Sequence, residues 1–182
     1  ALERTALRSH KAVQGSGSGM DVRASARGGL RRYEGEACSE PLMAPPLVAV
    51  WSGHSSFTGP RVQRYRGWDD REGFIRRSRE LVSHFEADPV DALDQAWRLL
   101  CVMGTLAGVA YATPGLARIV SLAREHGGAA KASGAGGGDV AVALIPDPEA
   151  RRNFEQACAL EGLTPVPVQI VDGVEVREHD GD

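Results

Sequence analysis

Two glycine-rich stretches hold the residues best suited to chemistry. One is Lys131-Ala132-Ser133-Gly134-Ala135-Gly136-Gly137-Gly138-Asp139, with four glycines in five residues ahead of the apolar run Val140 to Ile145. Each glycine costs backbone entropy, so a cluster of them does not serve stability. It supplies φ > 0 geometry and close approach of backbone N–H groups to a ligand, and successive inward N–H groups form an anion nest. Lys131 adds a positive charge and Ser133 a hydroxyl. The plain alternative is a tight hairpin, which needs one or two glycines rather than four. The other stretch is Gly15-Ser16-Gly17-Ser18-Gly19-Met20-Asp21-Val22, which leads into a short helical segment. Asp21 at the start of that segment suits the positive end of a helix dipole, and a helix cap is its plain reading.

The elements that must position these loops are legible from periodicity. Leu2, Ala6, Leu7 and Val13 space as the tail of an amphipathic helix. Residues 22–26 predict a short helix ended by Gly28-Gly29, and residues 30–33 a strand. Residues 34–46 are polar and proline-rich, a turn or domain junction. Leu47 to Trp51 predicts a buried strand, and residues 54–68 a loop punctuated by Thr58-Gly59-Pro60. Asp69 to Phe85 predicts a charged helix. A second helix follows Asp88-Pro89, with Leu93, Ala96, Trp97, Leu100, Met103, Leu106 and Ala107 on one face. Thr113 caps a third, with Pro114 at its first position. Strand 140–145, helix 148–160 and strand 165–170 complete the chain. From residue 47 the predicted order is β, three helices, β-turn-β, α, β. That order fits an α+β sandwich with an antiparallel sheet on one side and helices on the other.

The segment from Lys131 to Asp139 is similar to the third conserved motif of the GHMP kinases, and Asp after the glycines resembles the bacterial phosphomevalonate kinases in particular. The family usually has Pro where Ala132 stands. The resemblance implies a ferredoxin-like C-terminal domain over residues 47–182, preceded over residues 1–46 by a remnant of the N-terminal domain. It implies that the loop sits against nucleotide phosphates and substrate through Ser133, Gly134, Ala135, Gly136, Gly137 and Asp139. On the same resemblance Lys131 gives electrostatic support and Asp21 is the catalytic carboxylate, with Ser16, Gly17, Ser18 and Gly19 beside it. Arg23 and Arg27 replace the family's Ala and aromatic residue near Asp21; they are either anion-binding groups or solvent-exposed changes. Trp51-Ser52-Gly53-His54-Ser55-Ser56-Phe57-Thr58 resembles the substrate-side strand and loop. Ser52, His54, Ser55 and Arg23 are therefore candidate acceptor contacts. Residues 108–114 and 162–168 resemble the family's helix junction and C-terminal strand.

The implied reaction is ATP-dependent phosphorylation of a small molecule, phosphomevalonate or a related hydroxyl acceptor such as mevalonate or a sugar. A non-catalytic binding module with this fold is the alternative. ATP and Mg2+ are the implied cofactors. No Pro-x-x-x-Gly-Leu-Gly-Ser-Ser-Ala-like nucleotide loop occurs in the chain, which begins at Ala1 with residues that already read as helix. A missing N-terminal half of the same enzyme is thus the expected partner, would hold most magnesium ligands, and leaves the 182-residue chain alone without expected turnover.

Composition narrows the rest. The net charge of −3 gives no case for nucleic acid or membrane binding, and 42% hydrophobic residues suffice for a core. No apolar run approaches the roughly 20 residues a spanning helix needs, and no signal peptide is visible. Three cysteines without CxxC spacing read as reduced thiols of a cytoplasmic protein. Five histidines show no metal-ligand spacing, so no metal site is assigned. The arginines from Arg61 to Arg79 read as a solvated helix face and its approach loop.

Overall fold

The computed structural model describes residues 2–14, 18–56 and 58–174. The chain divides into two compact units: the residues up to Ala44 together with the tail from Gln169, and Pro45–Val168.

In the first unit α1 (Leu2–Gln14) packs on α2 (Met20–Arg27), followed by a short antiparallel hairpin of β1 (Tyr33–Glu34) and β2 (Ala37–Cys38). The strand expected over residues 30–33 is thus displaced, and Leu30 makes only a single bridge to Leu42. Arg23 ties the unit together. It is 8% exposed. Its Nε donates to Glu3 at 3.1 Å, its Nη1 to the Gly35 carbonyl at 2.6 Å and its Nη2 to the Glu36 carbonyl at 2.7 Å. Its guanidinium also lies 4.9 Å from the centre of the Tyr33 ring. Glu3 accepts a second hydrogen bond from Arg27 Nε at 2.7 Å. That bond, followed by Arg23, holds the Glu3 carboxyl below its ordinary range. The tail joins this unit because Gly29 N donates to the Val171 carbonyl and Gly28 bridges Asp172. The expected second domain over 47–182 therefore loses residues 169–174 to the first unit.

The second unit runs β3 (Leu47–Trp51), α3 (Thr58–Arg66), α4 (Arg71–His84), α5 (Pro89–Leu106), α6 (Pro114–Glu125), β4 (Ala129–Ala132), β5 (Val140–Leu144), α7 (Pro148–Leu160) and β6 (Thr164–Val166). Its sheet has the order β4-β5-β3-β6, antiparallel throughout, which is the ferredoxin-like arrangement of an α+β fold. α3 stands where a loop was expected. Gly59-Pro60 looked like turn punctuation, but proline is tolerated in a first helical turn, where its missing N–H has no intrahelical partner to lose. The later helices begin on strong signals. Asp88, Thr113 and Asp147 each accept a backbone N–H into the side chain, and each precedes a proline at the helix start.

Alternation along the strands turns Val48, Val50, Ala130, Ala132, Ala141 and Ala143 into one core with Leu116, Ile119, Val120 and Phe154 of the helices. Four of those six strand residues are alanine, so the helices approach the sheet closely and Phe154 fills the space between. Phe154 has no exposed surface. Phe154→Ala is expected to destabilise this unit by about 3–5 kcal/mol, read from the midpoint of urea unfolding at unchanged slope.

Candidate active site

The glycine segment joins β4 to β5 as a hairpin connection, closed by Ser133 N donating to the Val140 carbonyl at 2.9 Å. The hairpin alternative is correct for the topology, but the seven-residue connection is longer than a tight turn. Its glycines meet protein atoms first. Gly136, Gly137 and Gly138 all have positive φ. A Cβ at Gly136 would overlap the Tyr111 ring, one at Gly137 would overlap the Arg61 guanidinium, and one at Gly138 would press on the His54 carbonyl. Gly137 N donates to the Tyr111 carbonyl and Asp139 N to the His54 carbonyl, both at 2.6 Å.

This narrows the nest. Among the described residues, the amides of Gly134, Ala135, Gly136 and Gly138 have no hydrogen-bond acceptor. Gly136 and Gly138 are buried, whereas Ser133 and Gly134 are exposed and Ala135 is half-buried. The part of the loop open to a ligand is therefore Ser133, Gly134 and Ala135. Asp139 turns to scaffold work. Its φ of 58° is left-handed, a conformation Asp tolerates better than most residues. Its Oδ1 accepts from Ser56 N at 3.2 Å, and its carbonyl accepts from Ser52 N at 2.9 Å.

Strand alternation places Lys131 on the sheet face opposite the core, paired with Val142 across β5. Its Nζ donates to the Ala132 carbonyl at 2.6 Å, and it has no ion pair among the described residues. Burial pushes its ammonium well below the ordinary lysine range. An uncompensated cation beside a loop with unpartnered amides suits an arriving anion. Beneath the loop, Tyr111 is buried against Trp97, with ring centres 5.5 Å apart. Burial pushes its hydroxyl far above the ordinary phenol range.

The structure brings the segment 52–56 onto the glycine loop. Ser56, absent from the candidate residues, is the link: its Oγ donates to the Gly136 carbonyl at 2.7 Å. Ser52 is corrected. It is 3% exposed, and its Oγ is enclosed without a partner among the described residues, so its side chain is not an accessible acceptor contact. Its carbonyl lies under the first turn of α6, where a side chain at Gly115 would press on it. His54 and Ser55 are exposed, and the His54 carbonyl is engaged by Asp139.

In the first unit, Ser16 and Gly17 lie outside the described residues. Ser18 Oγ accepts from Met20 N at 3.3 Å, and Gly19 occupies the cap position of α2 without a side-chain bond. The cap reading of Asp21 is therefore corrected. Asp21 is exposed in the first turn and has no hydrogen bond or ion pair among the described residues. Arg23 is corrected as an acceptor contact, because its Nε and both terminal nitrogens are engaged within the unit. Arg27 is likewise paired with Glu3. Ser56 and Arg61 were missed because their partners are distant in sequence; a helical reading of 58–66 would have drawn attention to Arg61.

Residues 83–162 match the family model described as GHMP kinases C terminal. This segment is a GHMP kinase C-terminal domain. The chain is 30% identical to the mevalonate kinase of Pyrococcus abyssi over 194 aligned positions, 97% of this chain and 57% of that protein. It is 28% identical to the phosphomevalonate kinase of Streptomyces sp. over 138 positions, 67% of this chain and 37% of that protein. It thus spans about half the length of the curated relatives it matches. The fold is that of the Lin0012 protein of Listeria innocua, with a TM-score of 0.80 at 24% identity over 91% of this chain and 58% of that one. The Streptococcus pneumoniae phosphomevalonate kinase in complex with phosphomevalonate and AMPPNP has a TM-score of 0.62 at 21% identity, over 74% of this chain and 43% of that one. Among the described residues no helix is long and apolar enough to cross a membrane.

Lys131 carries a pH signature. Its folded pKa is depressed, so folding disfavours its charged form, and the unfolded chain binds the extra proton. The penalty is full below the folded pKa and fades as pH rises from there to the ordinary value of about 10.4. Lys131→Met is therefore expected to be the more stable form at neutral pH. Its advantage over the parent should shrink at alkaline pH, measured by urea unfolding across a pH series; a constant difference would show that the charge is not what burial penalises.

Proposed function

We propose that this chain is part of an ATP-dependent small-molecule kinase whose acceptor is built on the mevalonate skeleton. The observation that carries the reading is the occurrence, inside a GHMP kinase C-terminal domain, of loop amides at Gly134 and Ala135 and of Lys131 that have, among the described residues, no acceptor and no counter-charge respectively. Phosphoryl transfer needs positioning and charge neutralisation more than covalent chemistry. Ser133 and the two amides would hold oxygens of the transferred phosphoryl, and Lys131 would offset its charge. Asp21, exposed in the first unit and without a partner among the described residues, is the proposed base for an acceptor hydroxyl. Among the described residues no group of three or more His, Cys, Asp and Glu is placed to hold a metal ion.

The acceptor follows from charge. Phosphomevalonate was the expectation from sequence, resting on Asp139 and on the Gly-Ser lead into Asp21. A phosphomonoester has a second pKa of about 6, so it is largely dianionic at neutral pH and needs cations more than a base. Arg23 and Arg27, the cations nearest Asp21 in sequence, are engaged by Glu3. That favours the hydroxyl of mevalonate, as in the Pyrococcus relative's name. Phosphomevalonate is the second reading, supported by the Streptomyces relative.

The test is ADP release by the full-length gene product with each acceptor. A higher kcat/KM with mevalonate supports the first reading, a higher value with phosphomevalonate selects the second, and no turnover with either refutes the kinase. Asp21→Asn in the same protein is expected to lower kcat by about 10²–10⁴-fold with a hydroxyl acceptor, the range general base catalysis supplies. The loss should be far smaller with a phosphate acceptor.

A further inference from the structure

Arg61 is assigned no role by the sequence pattern, which places it in a solvated basic stretch. In the structure its side chain is the meeting point of four chain segments. It projects from α3, donates through Nη1 to Ser56 Oγ, and donates through Nε to the Ala110 carbonyl at 3.3 Å. Its guanidinium lies on the Gly137 peptide so closely that a methyl group there would overlap it. Ser56 Oγ in turn donates to the Gly136 carbonyl. Ser56 N reaches Asp139 Oδ1, so Arg61 and Ser56 together hold both ends of the Gly136–Asp139 turn.

We infer that Arg61 is a positioning residue: its planar guanidinium clamps the glycine loop so that Gly134 and Ala135 present their amides to the transferring phosphoryl. The inference rests on the kinase reading for its purpose, but not for its geometry. A planar fork is what the site uses. One nitrogen reaches forward to Ser56, another back to Ala110, and the group itself fills the space where a Gly137 side chain would stand. A lysine ammonium offers a point charge without the fork. Gly137 already needs glycine for its φ of 76°, and the clamp occupies the place a side chain would take.

Two measurements on the full-length gene product test this. The first is amide hydrogen exchange, which needs no activity. In Arg61→Ala the amides of Gly137 and Asp139 are expected to exchange about tenfold faster or more, with those of β5 unchanged, because local opening is set by local contacts. Unchanged exchange at Gly137 and Asp139 overturns the clamp. The second is kinetic. Arg61→Ala is expected to lower kcat by about 10–100-fold, the cost of a small misplacement, with the KM for ATP little altered. Added guanidinium ion should restore part of the loss, and Arg61→Lys should not. Full activity in Arg61→Lys shows that charge suffices and overturns the clamp. If the parent protein has no turnover with either acceptor, the kinase reading fails and the exchange result alone decides the clamp. Should Arg61→Ala fail to fold, Ser56→Ala removes the same link and is judged by the same exchange at Gly137 and Asp139.

Discussion

Gly136, Gly137 and Gly138 run against the Tyr111 ring, the Arg61 guanidinium and the His54 carbonyl with no room for a side chain between. The approach is possible because each of the three has a positive φ that a side chain would strain. It fixes which strand ends meet which loops. Two 2.6 Å amide bonds, to the Tyr111 and His54 carbonyls, then close the contact. Without it the hairpin between β4 and β5 would still pair, but its connection would not be seated on the segment after β3.

That contact divides the loop into two parts with different tasks. The anchored part, from Gly136 to Asp139, is scaffold: its backbone and the Asp139 carboxylate are engaged by residues 52–56, Arg61 and Tyr111. The accessible part, from Ser133 to Ala135, keeps its hydroxyl and two amides for something outside the protein. Lys131, next to it in sequence, is held against a carbonyl rather than a carboxylate. A half-buried cation with no anion among the described residues is costly. A phosphate would relieve that cost while satisfying the amides, so rigidity in one half of the loop serves binding in the other.

The first unit shows the opposite use of charge. Glu3, Arg23 and Arg27 neutralise one another, and Arg23 also caps two carbonyls of the β-hairpin turn. With its donors used this way, Arg23 is a fastening for α1, α2 and the hairpin. Asp21 sits two residues before Arg23 on the same short helix, and it is the acidic group of that helix left exposed and unpaired among the described residues. The local neutralisation of its neighbours is what leaves Asp21 as the candidate for proton chemistry.

Much of this was legible in the chain. Periodicity and caps located α5, α6 and α7, because Asp88, Thr113 and Asp147 are local signals read within four residues. The sandwich followed from element order, and the glycine cluster announced an unusual backbone. Only the tertiary structure decided what each residue in the cluster does, because the atoms that exclude side chains from Gly136 to Gly138 come from segments that begin at His54, Arg61 and Tyr111. It moved Ser52 into the interior, turned Arg23 to Glu3, made a helix of residues 58–66 and gave the tail from Gln169 to the first unit. Sequence reports local backbone preference and patterning. Whether a polar group is free for a ligand depends on partners that only folding brings within 3 Å.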